Sequence, residues 1–332
     1  MCDRLTLLNR WLEDSGYRDY RLQRASEDAS FRSYLRLEAN GSSLIVMDAP
    51  PEQEPCDRFI DVARRLRAAG LNAPEIIASN LQQGFLLLTD FGADDYLSRL
   101  SPQSESSLYA DALAALLTMQ SQTATDGLPD YDEALLLREM ELFHDWFLGE
   151  LLGIELDPAQ QSLWRQTCQL LVDNALAQPR VFVHRDYHSR NLMVVPQHNP
   201  GILDFQDAVY GPVTYDLVSL LRDCYIAWTP QRIEQLASEY YESAHNQGLV
   251  DGIEGAQFLR WFNLMGIQRH LKAIGIFARL KIRDGKSRYL GDIPRTLAYI
   301  EQVSAGEMSM LGLLRLIDRL QLRQRCGALA DD

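Results

Sequence analysis

The sequence predicts an α+β fold in which a small antiparallel sheet precedes a larger, mostly helical portion. Three observations support this fold class: strand-like segments before residue 50, an apolar strand at 84–90, and long amphipathic segments with helical spacing after residue 95. The chain has 332 residues, which is enough for two lobes with separate cores. We therefore predict domains at 1–90 and 91–332.

The first ninety residues are predicted to form a helix, a sheet and a second helix. Apolar residues at helical spacing predict the opening helix; they are Leu5, Leu8, Trp11 and Leu12. Strands follow at YRLQRA, SFRSYLRLE and SSLIVMD, and Asn40-Gly41 is typical of a hairpin turn between the last two. A helix over 58–69 is predicted to end before Gly70, after which GFLLLTD forms a strand.

The remaining residues are mostly helical in pattern. Amphipathic helices are predicted at 104–121, 132–152, 157–177, 214–227, 231–247, 256–283 and 294–323. Short apolar strands interrupt them at VFVH, NLMVV and GILDF. The larger domain is therefore helical with a small strand-loop-strand insert.

Composition and charge exclude several classes of protein. The net charge of −14 disfavours nucleic-acid binding, which depends on a basic surface. The five cysteines are scattered and show no zinc-ligand or disulfide spacing. No apolar run is long enough for a membrane helix, and the start MCDRLTLLNRWLEDSGY has charged residues where a signal peptide is apolar. We expect a cytoplasmic protein with a small-molecule partner, no nucleic-acid partner and no membrane partner.

The segment VFVHRDYHSRNLMVVPQHNPGILDFQDAVYGP, residues 181–212, joins short apolar strands to polar residues at their ends. Asp186 lies in the loop after the first strand, Asn191 opens the next strand, and Asp204 follows the third apolar run. Two carboxylates and an amide offer the oxygen ligands that magnesium prefers. The segment predicts a magnesium site for phosphate groups, with a polar turn and capping side chains as the alternative.

The spacing HRDxxxxN, followed by an apolar strand and an aspartate, is that of kinase-type phosphotransferases. It predicts that Asp186 accepts the proton of the substrate hydroxyl and that Asn191 and Asp204 hold the metal. Asp90-Phe91-Gly92 resembles a kinase metal motif but precedes this loop by about ninety residues, which is the wrong order. We predict a hinge there, in which backbone groups of Thr89, Asp90 and Phe91 pair with the adenine edge of ATP.

HRDYHSRN resembles the motif of the aminoglycoside phosphotransferase and choline kinase superfamily, which implies a bilobal protein-kinase-like fold. Within that superfamily, five further segments resemble bacterial N-acetylmuramate/N-acetylglucosamine kinases: SEDASFRSYLR, MDAPPE, LFHDWFL, GILDFQDAVYGPVTYDLVSLLRD and RHLKAIGIFARLKIRDGKSRYL. The resemblance implies ATP- and magnesium-dependent phosphorylation of the anomeric hydroxyl of an amino sugar in cell-wall recycling. It also implies that Asp216 accepts backbone N–H groups of the catalytic loop and holds that loop in place.

The chain departs from the kinase pattern in its nucleotide-binding portion. Met47 stands where the third strand of kinase folds usually carries a lysine, and no lysine occurs before Lys272. The turn SEDAS has Glu27 where relatives tend to carry glycine. Since an arginine can bind phosphate oxygens in two places, Arg32 is proposed as the replacement cation in preference to Arg36. An exposed strand arginine without this role is the alternative. Ser30 is predicted to donate a hydroxyl hydrogen bond to the nucleotide.

Candidate sugar-binding residues lie in two places. Phe143 and Trp146 in LFHDWFL offer aromatic faces for a pyranose ring, with core packing as the alternative. His188 and Arg190 flank the predicted base; Arg190 is assigned either to the phosphoryl charge or to the lactyl carboxylate of a muramic acid. Two other functions stay open: a kinase of another small alcohol, such as an aminoglycoside, choline or a homoserine-like acceptor, and a nucleotide-binding pseudokinase.

Overall fold

A computed structural model of the chain describes residues 4–26, 31–39 and 41–330. Within these ranges the fold is α+β, which confirms the predicted class. The chain divides into two compact units. The first unit comprises Met1–Ala124 and Arg190–Asp207, and the second comprises Thr125–Ser189 and Ala208–Asp332. The functional division at residue 90 stays a prediction.

The described strands are β1 Arg21–Ser26, β2 Ser33–Ala39, β3 Ser42–Asp48, β4 Ile76–Asn80, β5 Phe85–Thr89, β6 Arg180–Val183, β7 Leu192–Met193, β8 Gly201–Ile202 and β9 Val209–Pro212. The described helices are α1 Arg4–Asp14, α2 Asp57–Ala68, α3 Tyr96–Arg99, α4 Glu105–Gln122, α5 Glu133–Leu142, α6 Pro158–Leu176, α7 Tyr215–Leu221, α8 Pro230–Asn246, α9 Gly255–Asp284, α10 Ile293–Gly306, α11 Leu311–Arg319 and α12 Leu322–Ala330. A π-helix spans Phe143–Leu151, and 3₁₀ helices span Ser287–Asp292 and Met308–Met310.

The first unit is built on a five-stranded antiparallel sheet with the order β1-β2-β3-β5-β4. Helix α1 packs on it: Leu8 and Leu12 are almost fully buried, and Trp11 stacks on Phe85 with ring centroids 5.6 Å apart. Met47 of β3 is also fully buried, opposite Leu86 of β5. The equivalence of Met47 with the lysine position of kinase folds stays a prediction.

The second unit is organised around α9, a helix of 30 residues. Helices α5, α6, α7, α8 and α10 and the π-helix all pack against it. β6 pairs with β9 in a separate two-stranded sheet, Val183 lying opposite Val209. Because β6 ends at Val183, the loop that carries Asp186 begins at a fixed point of this sheet. Among the described helices, none has the length and apolar character needed to cross a membrane.

Gly275 lets α9 approach the end of α5 closely. A Cβ atom at Gly275 would lie 2.3 Å from the carbonyl carbon of Leu142 and 2.6 Å from its Cβ. Both distances are far below contact distance, so any larger residue forces the two helices apart.

We expect Gly275→Ala to lower the free energy of unfolding by about 1–3 kcal/mol, the usual cost of overpacking, despite the higher helix propensity of alanine. Gly149→Ala is the matched control, because a Cβ there meets only the carbonyl oxygen of His144, at 3.5 Å. Urea titration of both variants checks the difference. Equal stability of the two variants would contradict the close approach.

Candidate functional site

The loop after β6 is held by a carboxylate from α7. Asp216 is fully buried and accepts hydrogen bonds from the backbone N–H groups of His184, at 2.6 Å, and Arg185, at 2.9 Å. Burial raises the pKa of Asp216 to about 7, although both backbone donors lower it. The charge of Asp186, which follows the two donors directly in sequence, raises the pKa of Asp216 further. Its role in supporting catalysis stays a prediction.

A second carboxylate holds the far end of the same loop. Asp223, just beyond α7, accepts hydrogen bonds from the backbone N–H of Ser189, at 2.9 Å, and from the Ser189 hydroxyl. Within the loop, the N–H of Asp186 donates to Nδ1 of His184 at 3.2 Å, and the N–H of His188 donates to the carbonyl of Asp186 at 3.1 Å. The backbone on both sides of the Asp186 carboxylate is therefore fixed before any substrate binds.

Asp186 is half-buried and lies among cationic groups of the second unit. Burial raises the pKa of this carboxyl, but the charges of Lys272, His188 and Arg185 outweigh burial and lower it to about 2. A carboxylate that is ionised at neutral pH is able to accept a proton. The electrostatics therefore keep Asp186 in the ionised state that a general base requires.

Arg185, immediately before Asp186, has a left-handed backbone conformation with φ of 78°. This conformation is unfavourable for a residue with a long side chain, and its cost is on the order of 1–3 kcal/mol. The hydrogen bond to Asp216 and the ion pair between the Arg185 guanidinium and Glu139 offset that cost. The loop conformation thus depends on side chains from both α5 and α7.

In the first unit, Asn191 and Asp204 lie together. Nδ2 of Asn191 is 3.3 Å from Oδ2 of Asp204, and Nε2 of Gln206 donates to Oδ1 of Asp204 at 2.8 Å. The pairing of β7 with β8 brings them together, because the N–H of Leu203 donates to the carbonyl of Asn191 at 2.9 Å. Asp204 is exposed and left-handed, with φ of 61°, a conformation that aspartate tolerates better than most residues.

The donor set of Asn191 and Asp204 fits a hard divalent cation. It offers one exposed carboxylate and one amide oxygen, which suit magnesium and leave room for water and phosphate ligands. The orientation of the Asn191 amide is an assignment, and the opposite orientation directs its oxygen toward the same point. Metal binding by these two residues stays a prediction.

Arg32, the proposed phosphate-binding cation, forms an ion pair with Glu54. Nη2 of Arg32 lies 2.8 Å from Oε2 of Glu54, and the arginine side chain is only 9% exposed. Glu54 comes from the segment between β3 and α2. The pair therefore joins the residue just before β2 to the segment that leads into α2. Ser30, the other predicted contact of the nucleotide, lies outside the described residues, as do Glu27 and Asn40.

The segment Asp90-Phe91-Gly92 is held by hydrogen bonds to Asp90 and from Arg36. Asp90 binds Arg36 through two hydrogen bonds of 2.6 and 3.1 Å and accepts the N–H of Gly92 at 2.8 Å. Arg36 is thus committed to Asp90 and also donates to the carbonyl of Gly92. The N–H of Thr89 donates to the backbone carbonyl of Glu75 at 3.1 Å, next to the start of β4, so this group is already engaged. Pairing of the segment with adenine stays a prediction for Thr89, Asp90 and Phe91.

The predicted sugar-binding residues differ in accessibility. Phe143 is 1% exposed and its ring stacks on Trp164 with centroids 5.6 Å apart, so in this structure it belongs to the core. Trp146 is half-buried on the π-helix, and Arg190 is exposed. His188 is half-buried, with its ring edge-on to Tyr225 at 5.3 Å. Sugar contacts by these residues stay predictions, with Phe143 the least accessible of the four.

Sequence reasoning missed three charged residues at this site. Asp223, Glu139 and Lys272 are buried and contact the catalytic loop or the groups that hold it. Asp223 lies two residues beyond the end of α7, so the helical pattern that includes Asp216 gave no direct signal for it. Glu139 and Lys272 gave no periodic signal in the sequence either, because their ion pair joins residues 133 positions apart.

Comparison with known proteins identifies relatives over most of the chain. Residues 21–250 match the family described as phosphotransferase enzyme family. Three curated relatives are each described as N-acetylmuramate/N-acetylglucosamine kinase. The Pseudomonas putida protein is 48% identical over 304 residues, covering 92% of this chain and 89% of the relative. The Pseudomonas aeruginosa protein is 49% identical, covering 87% and 86%. The Neisseria meningitidis protein is 41% identical, covering 94% and 95%.

Solved structures share the fold at low sequence identity. An ADP-bound aminoglycoside phosphotransferase, APH(2'')-Ib, aligns with a TM-score of 0.58 and 14% identity, over 89% of this chain and 97% of that chain. The choline kinase LicA of Streptococcus pneumoniae aligns with a TM-score of 0.63 and 11% identity, over 91% and 99%. These similarities confirm the predicted protein-kinase-like fold.

Proposed function

The chain belongs to the phosphotransferase enzyme family, and from this premise we propose that it transfers the γ-phosphoryl group of ATP to the anomeric hydroxyl of N-acetylmuramate and N-acetylglucosamine. The three relatives that are 41–49% identical support this acceptor, because each is named for these two sugars. The proposed role is cell-wall recycling in the cytoplasm, where ATP is available.

One observation carries the assignment of an active kinase. The loop around Asp186 is held at both ends by the buried carboxylates of Asp216 and Asp223. A loop fixed before substrate binds keeps its reacting group in place and reduces the cost of reorganisation. A pseudokinase has no use for a base held in this way, so the geometry favours catalysis.

In the proposed reaction, the anomeric hydroxyl attacks the γ-phosphorus in line with the departing ADP. Asp186 takes the hydroxyl proton as the new O–P bond forms, and the bond between the γ-phosphorus and the β,γ-bridging oxygen breaks. Asn191 and Asp204 would hold magnesium, which when bound neutralises charge on the phosphates. Arg32, fixed by Glu54, would supply a further cation to the phosphates.

Acceptor recognition is proposed to involve the groups next to the base. His188 follows Asp186 by two residues, its backbone N–H donates to the carbonyl of Asp186, and its side chain is among the groups whose charge lowers the pKa of Asp186. Arg190 is exposed and suits the lactyl carboxylate of N-acetylmuramate or the transferred phosphoryl group. The half-buried Trp146 offers an aromatic face for the pyranose ring.

The decisive experiment is to identify which hydroxyl becomes phosphorylated. We expect ADP release with ATP, magnesium and either amino sugar, and a product whose ³¹P signal couples to the anomeric proton. The methyl glycoside of N-acetylglucosamine is the matched control, because its anomeric oxygen is blocked, and we expect no turnover with it. Phosphorylation of the methyl glycoside, or of choline or an aminoglycoside in preference to both sugars, would contradict the proposal. No ADP release with any acceptor would indicate a pseudokinase.

A further inference from the structure

Glu139 of α5 is a buried carboxylate on which four donors converge. Arg185 and Lys272 bind Oε1, the lysine at 3.2 Å, while Tyr131 and Gln268 donate to Oε2, the glutamine at 3.4 Å. The Glu139 side chain is 6% exposed. Each carboxylate oxygen therefore has two donors, and the group is fully committed to protein contacts.

This cluster contains more positive than negative charge. Two cations, Arg185 and Lys272, share the single carboxylate of Glu139. Burial lowers the pKa of Lys272, but the charge of Glu139 outweighs burial and raises it, so the lysine stays charged. Lys272 also donates to the Tyr215 hydroxyl at 3.0 Å, which adds no charge. The surplus positive charge lies beside Asp186, the carboxylate that follows Arg185 in sequence. Asp186 thereby balances a cluster that Glu139 alone leaves cationic.

The helices that carry the cluster are fixed relative to each other. Gln268, Lys272 and Gly275 lie four and three residues apart along α9, which places them on one face. Glu139 and Leu142 lie three residues apart on α5 and face them. The close approach of Gly275 to Leu142 fixes the distance between α5 and α9. The distance between Lys272 and Glu139 is fixed with it.

We propose that Lys272, acting through Glu139 and Arg185, is a positioning residue for the proposed base Asp186. Lys272 holds Glu139, Glu139 holds the side chain of Arg185, and Arg185 keeps the left-handed conformation that directs the next residue, Asp186. The assignment of Asp186 as the base rests on the proposed function, whereas the positioning of the loop does not. Burial raises the pKa of Asp186, and among the charges that lower it Lys272 has the largest effect. This effect agrees with a position of Lys272 close to Asp186.

The kinetic test replaces Lys272 by methionine, which removes the charge and keeps the length. We expect kcat to fall at least about tenfold, with the KM for ATP within about twofold of the wild-type value, because positioning affects the reacting state more than nucleotide binding. Lys281→Met is the matched control on the same helix and should leave kcat within about twofold. Lys272→Arg should restore most of the lost kcat, because arginine keeps the charge that Glu139 needs.

A double-variant cycle tests the route through Glu139. If Lys272 acts through Glu139, Glu139→Gln and the double variant should have the same kcat within about twofold. A double variant whose loss equals the product of the two single losses would overturn the proposed route. So would a Lys272→Met enzyme with the kcat of Lys281→Met.

Hydrogen exchange tests the loop without any acceptor sugar. We expect the amides of 184–189 to exchange at least about fivefold faster in Lys272→Met than in the wild type, while amides of α8 are unchanged. A uniform increase across the second unit, or no increase in the loop, would overturn the proposal. If the wild-type protein phosphorylates no amino sugar, the proposed function fails, but this comparison still decides whether Lys272 positions the loop.

Discussion

Replacing Asp186 by asparagine is expected to lower kcat by about 100- to 10,000-fold, the range for loss of a general base. The amide keeps the size of the side chain but accepts no proton from the sugar hydroxyl. The backbone N–H of Asp186 donates to Nδ1 of His184 and its carbonyl accepts from the N–H of His188, and asparagine keeps both of these backbone bonds. The KM values for ATP and sugar should therefore change only a few-fold, and steady-state kinetics with both substrates measures the contrast.

The control for this variant is Asp173→Asn on α6, where the carboxylate is exposed and accepts from Gln169 of the same helix, at 3.0 Å. It should retain the wild-type kcat. Because the pKa of Asp186 is lowered to about 2, titration of this group should leave kcat/KM level between about pH 5 and 8. An Asp186→Asn enzyme with wild-type kcat would remove the assignment of the base.

The fold class was predictable because local patterns agree with the final structure. In α2, the apolar residues Phe59, Val62, Ala63 and Leu66 recur at helical spacing, and all four are buried. Gly70 follows with φ of 82°, as the sequence predicts for a residue just beyond a helix. These features depend on residues fewer than about five positions apart. A sequence pattern reports such local features directly.

Elements that depend on distant partners were missed or misjudged. β4 is a short edge strand, and β9 contains Gly211 and ends at Pro212, so neither has a strong strand pattern. β9 forms because its residues pair with β6, about thirty positions earlier. The predicted helix over 132–152 is two elements, α5 and the π-helix, and the predicted helix over 294–323 is interrupted after Gly306. Periodicity alone does not distinguish these interruptions from a continuous helix.

The candidate site shows the same limit. The spacing of Asp186, Asn191 and Asp204 predicted the loop and strands that carry them. It gave no indication of the left-handed conformations of Arg185 and Asp204, whose partners Asp216 and Asn191 are distant in sequence. The partners of the proposed cations Arg32 and Arg36 were also invisible, since ion pairs between separate strands and loops leave no periodic signal.

Asp204→Asn is expected to lower kcat/KM about 1000-fold, because loss of metal-ion stabilisation of the transition state costs several kcal/mol. Asparagine is the informative replacement. It removes the negative charge but tolerates the left-handed backbone of residue 204, whereas alanine would add strain. The side chain is exposed, so the free energy of unfolding without metal should change by less than about 0.5 kcal/mol.

Ligand-induced stabilisation separates metal binding from turnover. Magnesium with a non-hydrolysable ATP analogue should raise the Tm of the wild-type protein in proportion to occupancy, and this shift should be largely lost in Asp204→Asn. Asp61→Asn is the control, because Asp61 is an exposed carboxylate on α2 that pairs with Arg65. Its Tm shift should equal that of the wild type. A full Tm shift in Asp204→Asn would mean that other groups hold the cation. The role of Asp204 would then be to hold the conformation of its own loop.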